Sequence, residues 1–300
     1  MTLIPKLGIV NSRGSSTMKI DLNSIEKTLL VPLWGRAKLS REPNPLLNDI
    51  KAIELVELID YDFSTIDRIT SQTSTALPVN VDNTVDLAGY LMYVARAKQF
   101  DDKIRAYITK HPCASVVNIG AGLDTTFYRL DNGTIYWYDL DLPNVIAIRK
   151  QLLEEHDRTT YISKSLLDIS WCKDVEHTAD GVFMIAGGVL PYFEESHVKQ
   201  FFLSLADNFP GAEIVFDVTS QLSAIFMSLN AWRMEIEGAQ VKWAVKDANE
   251  MARWDTRIRV IEQFPYFRGV PRDPVWGEEI KIWMDFMDEI KICNIFHISV

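Results

Sequence analysis

The sequence is short of the residues that build disulfide frameworks and metal centres. Its 300 residues hold three cysteines, Cys113, Cys172 and Cys293, with no C-x-x-C pair. That scatter excludes a disulfide framework and suits a reducing compartment, so a cytoplasmic location is expected. The five histidines are equally scattered, and no metal site is expected. No apolar run reaches the ~18 uninterrupted residues of a membrane span. The first ten residues include Lys6 and lack the apolar stretch of a signal peptide. Positive charge is scarce as well: 31 Lys and Arg face 41 Asp and Glu, a net charge of −10. A duplex nucleic-acid partner needs a basic face and is not expected.

What is present reads as an ordinary globular chain, 47% hydrophobic and 24% charged. Its length suits one large domain or one domain with a cap. Residues 1–20 look like a loose lead-in. Residues 22 to 110 read mostly helical, so 1–110 is expected to form an N-terminal helical cap. Within it, Pro32-Leu33-Trp34-Gly35-Arg36 reads as a punctuated loop, Asn48 to Leu58 as a helix with an apolar stripe, and Val85 to Lys110 as a long helix ended by His111-Pro112. From 111 to 300 strands and helices alternate. Ser115–Ile119, Ile135–Leu140, Thr160–Ser163, Val182–Ala186, Glu213–Val218, Arg257–Phe264 and Lys291–Val300 read as strands. Helices are expected at Asn144–Glu155, Glu195–Asn208 and Glu278–Glu289. This alternation predicts an α/β fold, a Rossmann-like, mostly parallel sheet of seven strands with helices on both faces. An insert at about 219–258, with Met227, Trp232, Met234, Trp243, Met251 and Trp254, is a candidate roof for an apolar substrate pocket.

The most informative segment is Val116-Val117-Asn118-Ile119-Gly120-Ala121-Gly122-Leu123-Asp124-Thr125-Thr126, followed by Trp137-Tyr138-Asp139-Leu140-Asp141-Leu142-Pro143. A strand runs into a Gly-Ala-Gly turn, and the next strand ends in acids, with Asp141 lying 21 positions after Gly120. A nucleotide-type cofactor needs this pattern: glycines for close backbone approach, and an acid roughly 20 residues on for ribose hydroxyls. A dinucleotide enzyme would prefer a third glycine where Thr125 stands, and Asp124 puts negative charge where a pyrophosphate would sit. A phosphate-free cofactor, S-adenosylmethionine, fits better, and an NAD-dependent oxidoreductase is the runner-up.

Asp141 is the expected ribose acid, with Asp139 on the same strand face as the alternative. Asp168, just beyond the third strand, is a candidate acceptor for the adenine amino group, with Leu167 and Ile169 against the ring; a helix or turn cap is the competing role. Arg96 shares a helix face with Met92, Tyr93 and Phe100. A guanidinium there needs an anion, either the cofactor carboxylate or a buried partner such as Asp124 or Asp86. Ala186-Gly187-Gly188-Val189-Leu190-Pro191-Tyr192-Phe193 follows the fourth strand at the centre of the sheet. Tyr192 is the candidate catalytic residue there, against a plain core role.

Taken in order, these motifs resemble a class I S-adenosylmethionine-dependent methyltransferase. The likeness is to the leucine carboxyl methyltransferase family, its bacterial polyketide O-methyltransferase-like branch, and it extends to Leu33-Trp34-Gly35-Arg36-Ala37 and Tyr61-Asp62-Phe63. The resemblance implies that Arg96 holds the cofactor carboxylate, that Gly120 lies against its amino-acid end, that Asp141 binds ribose, and that Asp168 with Ile169 borders adenine; Ala121, Gly122, Leu142, Leu167 and Gly187 are further candidate cofactor contacts. It departs at Gly187, where the family carries glutamate, so the cofactor amino group is expected on backbone carbonyls. That departure shifts the expected acceptor from a protein C-terminal carboxylate to a small-molecule carboxylate or acidic hydroxyl. A non-catalytic cofactor-binding module is the reading of another class.

Overall fold

The computed structural model describes residues 17–19, 27–74, 84–221, 223–225, 240–272 and 276–300. Four helices come first: α1 (Lys27–Leu39), α2 (Ile50–Leu58), α3 (Ser64–Ser74) and α4 (Thr84–Lys110). Alternation follows: β1 (Ser115–Ile119), α5 (Thr126–Leu130), β2 (Tyr136–Asp141), α6 (Pro143–Leu152), β3 (Thr159–Ser163), β4 (Val182–Ala186), α7 (Glu195–Asn208) and β5 (Glu213–Thr219). Then come β6 (Arg259–Pro265), α8 (Gly277–Glu289) and β7 (Cys293–Ser299). All the expected strands are present, displaced by at most a couple of residues at either end.

The strands form one sheet in the order β3-β2-β1-β4-β5-β7-β6. β1 to β5 pair in parallel. β7 runs antiparallel to both of its neighbours. The order reverses between β1 and β4, so the carboxyl ends of these two strands flank the switch point where such sheets bind ligands. Both central strands are buried along their whole length.

Strand alternation separates two apolar layers. Val116, Phe183, Ile185 and Val215 meet the layer that holds Leu33, Leu91 and Ile146 from the flanking helices. Val117, Met184, Ala186 and Phe216 meet the other, with Trp171, Phe202 and Leu205.

Two expectations are corrected. Residues 32–36 are not a loop but lie inside α1, Pro32 included. Leu30, Leu33 and Ala37 are buried there. Gly35 lies so near α4 that a Cβ would come within 3.0 Å of Tyr90 Cδ1. Burial against α4 outweighs the propensity cost of Pro and Gly. The described part of the 219–258 insert is core rather than roof. Trp243 and Met251 are buried in the layer beside α7, with Trp254 packed against it. Met227, Trp232 and Met234 lie outside the described residues.

Candidate active site

The glycine turn after β1 is held from both sides. Gly120 and Ala121 donate their N–H groups to Leu140 O at 2.8 and 3.2 Å. Gly120 has φ +68°, and a Cβ there would strike Val189 Cγ2 at 2.2 Å. Only glycine meets both demands. Gly122, at φ +47°, donates to Asp141 Oδ2 at 2.8 Å, and Leu142 donates to Asp141 Oδ1 at 2.7 Å. Each Asp141 oxygen thus keeps a lone pair for a further donor. Burial raises the Asp141 pKa above its ordinary value, against the pull of the Gly122 and Leu142 N–H groups.

Asp139 does not share this position. It is 2% exposed. Its Oδ1 accepts from Asn118 Nδ2 and Trp137 Nε1 at 3.0 and 2.9 Å, and its Oδ2 accepts from Arg149 Nε and Nη2 at 3.0 and 2.6 Å. Asp139 is therefore a buried ion-pair partner, and the alternative ribose assignment is withdrawn. Arg149 carries the pair into the turn by donating to Gly122 O and Asp124 O at 3.0 and 2.8 Å.

Asp168 caps the 3₁₀ turn Ile169–Asp174, accepting from Ser170 N at 3.1 Å. These bonds from Ser170 hold its pKa below the usual carboxylate value. Leu142, Leu167 and Ile169, at the ends of the paired strands β2 and β3, leave 47, 43 and 40% of their surface in solvent. Large apolar side chains this open at strand ends suit a flat apolar ligand.

Arg96 does not find its anion in Asp124. Asp124 instead bonds to Asn118 and Thr126, and the Asp86 side chain lies outside the described residues. Arg96 Nη1 donates to Asp217 Oδ2 of β5 at 2.9 Å. The same oxygen accepts from Tyr266 Oη at 2.6 Å, and Asp217 Oδ1 accepts from Gly188 N at 2.5 Å. Burial opposes the Arg96 charge, but the Asp217 carboxylate outweighs it and raises the guanidinium pKa. The guanidinium lies against the turn after β4: a Cβ on Gly188, at φ +72°, would come within 2.8 Å of Arg96 Nη1. Tyr192 sits in the short 3₁₀ turn Leu190–Tyr192. Burial pushes its phenol up to about 12, with Tyr93 and Asp217 adding to the shift. Lys242 and Trp243 anchor this turn by donating to Pro191 O at 2.8 and 3.1 Å.

The leucine carboxyl methyltransferase family model matches residues 30–206. The chain belongs to the leucine carboxyl methyltransferase family. The tetracenomycin polyketide synthesis O-methyltransferase TcmP of Streptomyces glaucescens is 28% identical over 246 residues, covering 82% of this chain and 84% of that protein. The S-adenosyl-L-methionine-dependent methyltransferase dpfgK of Gibberella zeae is 27% identical over 252 residues, covering 78% of this chain and 79% of that protein. In fold, the chain is similar to the crystal structure of a DUF574 family protein from Streptomyces avermitilis, with a TM-score of 0.51 and 14% identity over 78% of this chain and 96% of that one.

In this methyltransferase the residues that sequence reasoning missed are the supports. Asp49 is fully buried. It accepts from Arg36 Nε at 2.9 Å, Thr125 Oγ1 at 2.6 Å and Arg129 Nη1 at 2.7 Å. Arg129 is also bidentate to Asp101, at 2.7 and 2.8 Å, and Arg36 donates to Leu123 O at 3.0 Å. Two arginines thus hold the Gly122, Leu123 and Asp124 carbonyls from behind, Arg149 from α6 and Arg36 from α1. Asp217 and Arg149 carried a readable signal, a charge inside an apolar run, the same one that marks Arg96.

Proposed function

We propose that this S-adenosylmethionine-dependent methyltransferase methylates an oxygen of a small acid, either a carboxylate or an acidic hydroxyl of the polyketide kind. S-Adenosylmethionine is the methyl donor, and it fits the residues present. The Gly120 cradle that a Cβ would fill, the spare acceptor sites of Asp141 and the open Leu142, Leu167 and Ile169 side chains suit the amino-acid end, ribose and adenine in turn. Asp168, at the edge of that apolar group, suits the adenine amino group. When bound, the cofactor supplies an electrophilic methyl group on a sulfonium.

The observation that carries the acceptor class is the chemistry around Tyr192. Among the described residues near it, none is a base poised near neutrality. The Tyr192 phenol stays protonated. Burial pushes the Cys293 thiol up to about 11, and Asp217 is the ion-pair partner of Arg96. The histidines lie elsewhere. His111, His156 and His177 precede β1, β3 and β4, His197 is exposed on α7, and His297 pairs with Glu213 at the start of β5. An acceptor that arrives already ionised suits this site, as a carboxylate does at neutral pH. Alignment by Tyr192 and the β4 turn, with exclusion of water, then contributes the rate. The TcmP relative, named for polyketide synthesis and matched along most of both chains, supports the same reading.

The experiment is a methyl-transfer assay on small aromatic and polyketide-like acids beside a peptide ending in leucine. Products from the small acids alone are expected. Transfer to the peptide alone would reassign the acceptor to a protein carboxyl terminus. Binding of S-adenosylhomocysteine with no turnover on any acceptor would favour the non-catalytic module.

A further inference from the structure

The buried arginines of this chain differ in how they spend their donors. Arg129 meets Asp101 bidentately and reaches Asp49, Thr125 and Thr126 besides. Arg149 places Nε, Nη1 and Nη2 on Asp139 and two carbonyls. These are closed structural pairs. Arg96 makes one hydrogen bond among the described residues, from Nη1 to Asp217. Its Nε and Nη2 stay unspent, though its side chain is only 17% exposed. Asp217 is open in the complementary sense. It takes three donors, one fewer than the roughly four its two oxygens accept, and its side chain is 8% exposed.

A partly buried cation and anion, each with bonding capacity left and set side by side, match a ligand end that carries both charges. The amino-acid end of the cofactor is such a group. The β4 turn itself has little room for an acidic side chain. A Cβ on Gly187 would be crowded by Phe100 Cε2 at 3.1 Å, and one on Gly188 by Arg96. We infer that Asp217 of β5 receives the ammonium of the cofactor while Arg96 takes its carboxylate. The pair is thus a zwitterion receptor, and the acid lies on β5 rather than in the turn after β4. The backbone carbonyls expected from the sequence are then not the principal partners. This inference rests on the cofactor reading above.

The test is calorimetric and needs no turnover. Three ligands are titrated: S-adenosylhomocysteine, its deaminated analogue, which keeps the carboxylate, and 5′-methylthioadenosine, which lacks the amino-acid end. Wild-type protein should bind the deaminated analogue about 10-fold or more weaker than S-adenosylhomocysteine, as for loss of a charge-assisted bond. Asp217→Asn should lose a similar factor for S-adenosylhomocysteine and little for the other two ligands. Equal loss on all three would make Asp217 a support for Arg96 and Gly188 only, and would overturn the assignment. So would a wild type that binds the deaminated analogue as tightly as the parent, a result that stands even if Asp217→Asn does not fold. A wild type that binds none of the three would overturn the cofactor reading, and the inference with it.

Discussion

Asp141 shows how one side chain can hold a turn and still keep acceptor capacity for a ligand. Its carboxylate fixes Gly122 and Leu142 through their N–H groups and stays partly open. Asp139, two residues earlier on the same strand, is sealed by Arg149, Trp137 and Asn118. Spacing and chemistry are the same for both acids. The donors that surround each one separate them, above all Arg149 of α6, and strand periodicity carries no information about that. Asp141→Ala should weaken S-adenosylhomocysteine binding by about 1–3 kcal/mol, the cost of leaving buried hydroxyls unpaired. Unchanged affinity in a titration would remove Asp141 from the ribose role.

At the scale of elements, α1, α2 and α5 converge on a single carboxylate. Asp49 caps α2 by accepting from Ala52 N at 3.0 Å while it neutralises Arg36 of α1 and Arg129 of α5. Replacing it with alanine leaves the buried Arg36 without a carboxylate partner and removes one of the two that hold Arg129, and a loss of about 3–5 kcal/mol is expected in urea unfolding at pH 7. Burial would raise the Asp49 pKa, but Arg129 and Arg36 outweigh it and hold the carboxyl below 3.8. The folded state therefore binds fewer protons than the unfolded state in that window. The stabilisation is in place above the unfolded pKa of about 3.9 and fades as pH falls through the folded value. The gap between wild type and Asp49→Ala should narrow as pH falls below the unfolded value of about 3.9; a gap that persists unchanged would show that the Asp49 charge is not what stabilises. α1 also marks a limit of local reading. Pro32 and Gly35 signal a break, yet contact with Tyr90 and the buried Leu33 keep the helix whole.

At the scale of the molecule, the proposed ligand groups come from α4, the β1 and β2 ends, the β4 turn and β5. A ligand that touches these elements binds only the folded chain. At about 100 times its dissociation constant it adds about 2.7 kcal/mol. S-Adenosylhomocysteine should therefore raise the melting temperature by several degrees, about 5 °C on the scale of large single domains. A melting curve unmoved by saturating ligand would contradict the assembled site. A separate cleft of about 510 Å³ lies between α2, α4 and α5, lined by Lys51, Glu54, Lys98, Asp102 and Tyr128 among others. Its Lys51–Glu54 and Lys98–Asp102 pairs are closed on one another, and its lining comes from these helices and residues 46–48 rather than from strand ends.

The sequence by itself determined the α/β class, the seven strands and the glycine turn with its spaced acid. These depend on local periods and on residues with unusual backbone freedom, which are properties of short stretches of chain. Tertiary structure decided which acid stays open to a ligand, which carboxylate answers Arg96, and whether Trp243 and Met251 serve core or pocket. Each of these depends on side chains far apart in sequence, 121 positions for Arg96 and Asp217 and 76 for Asp49 and Thr125. Their meeting is set by sheet order and helix placement rather than by any local pattern.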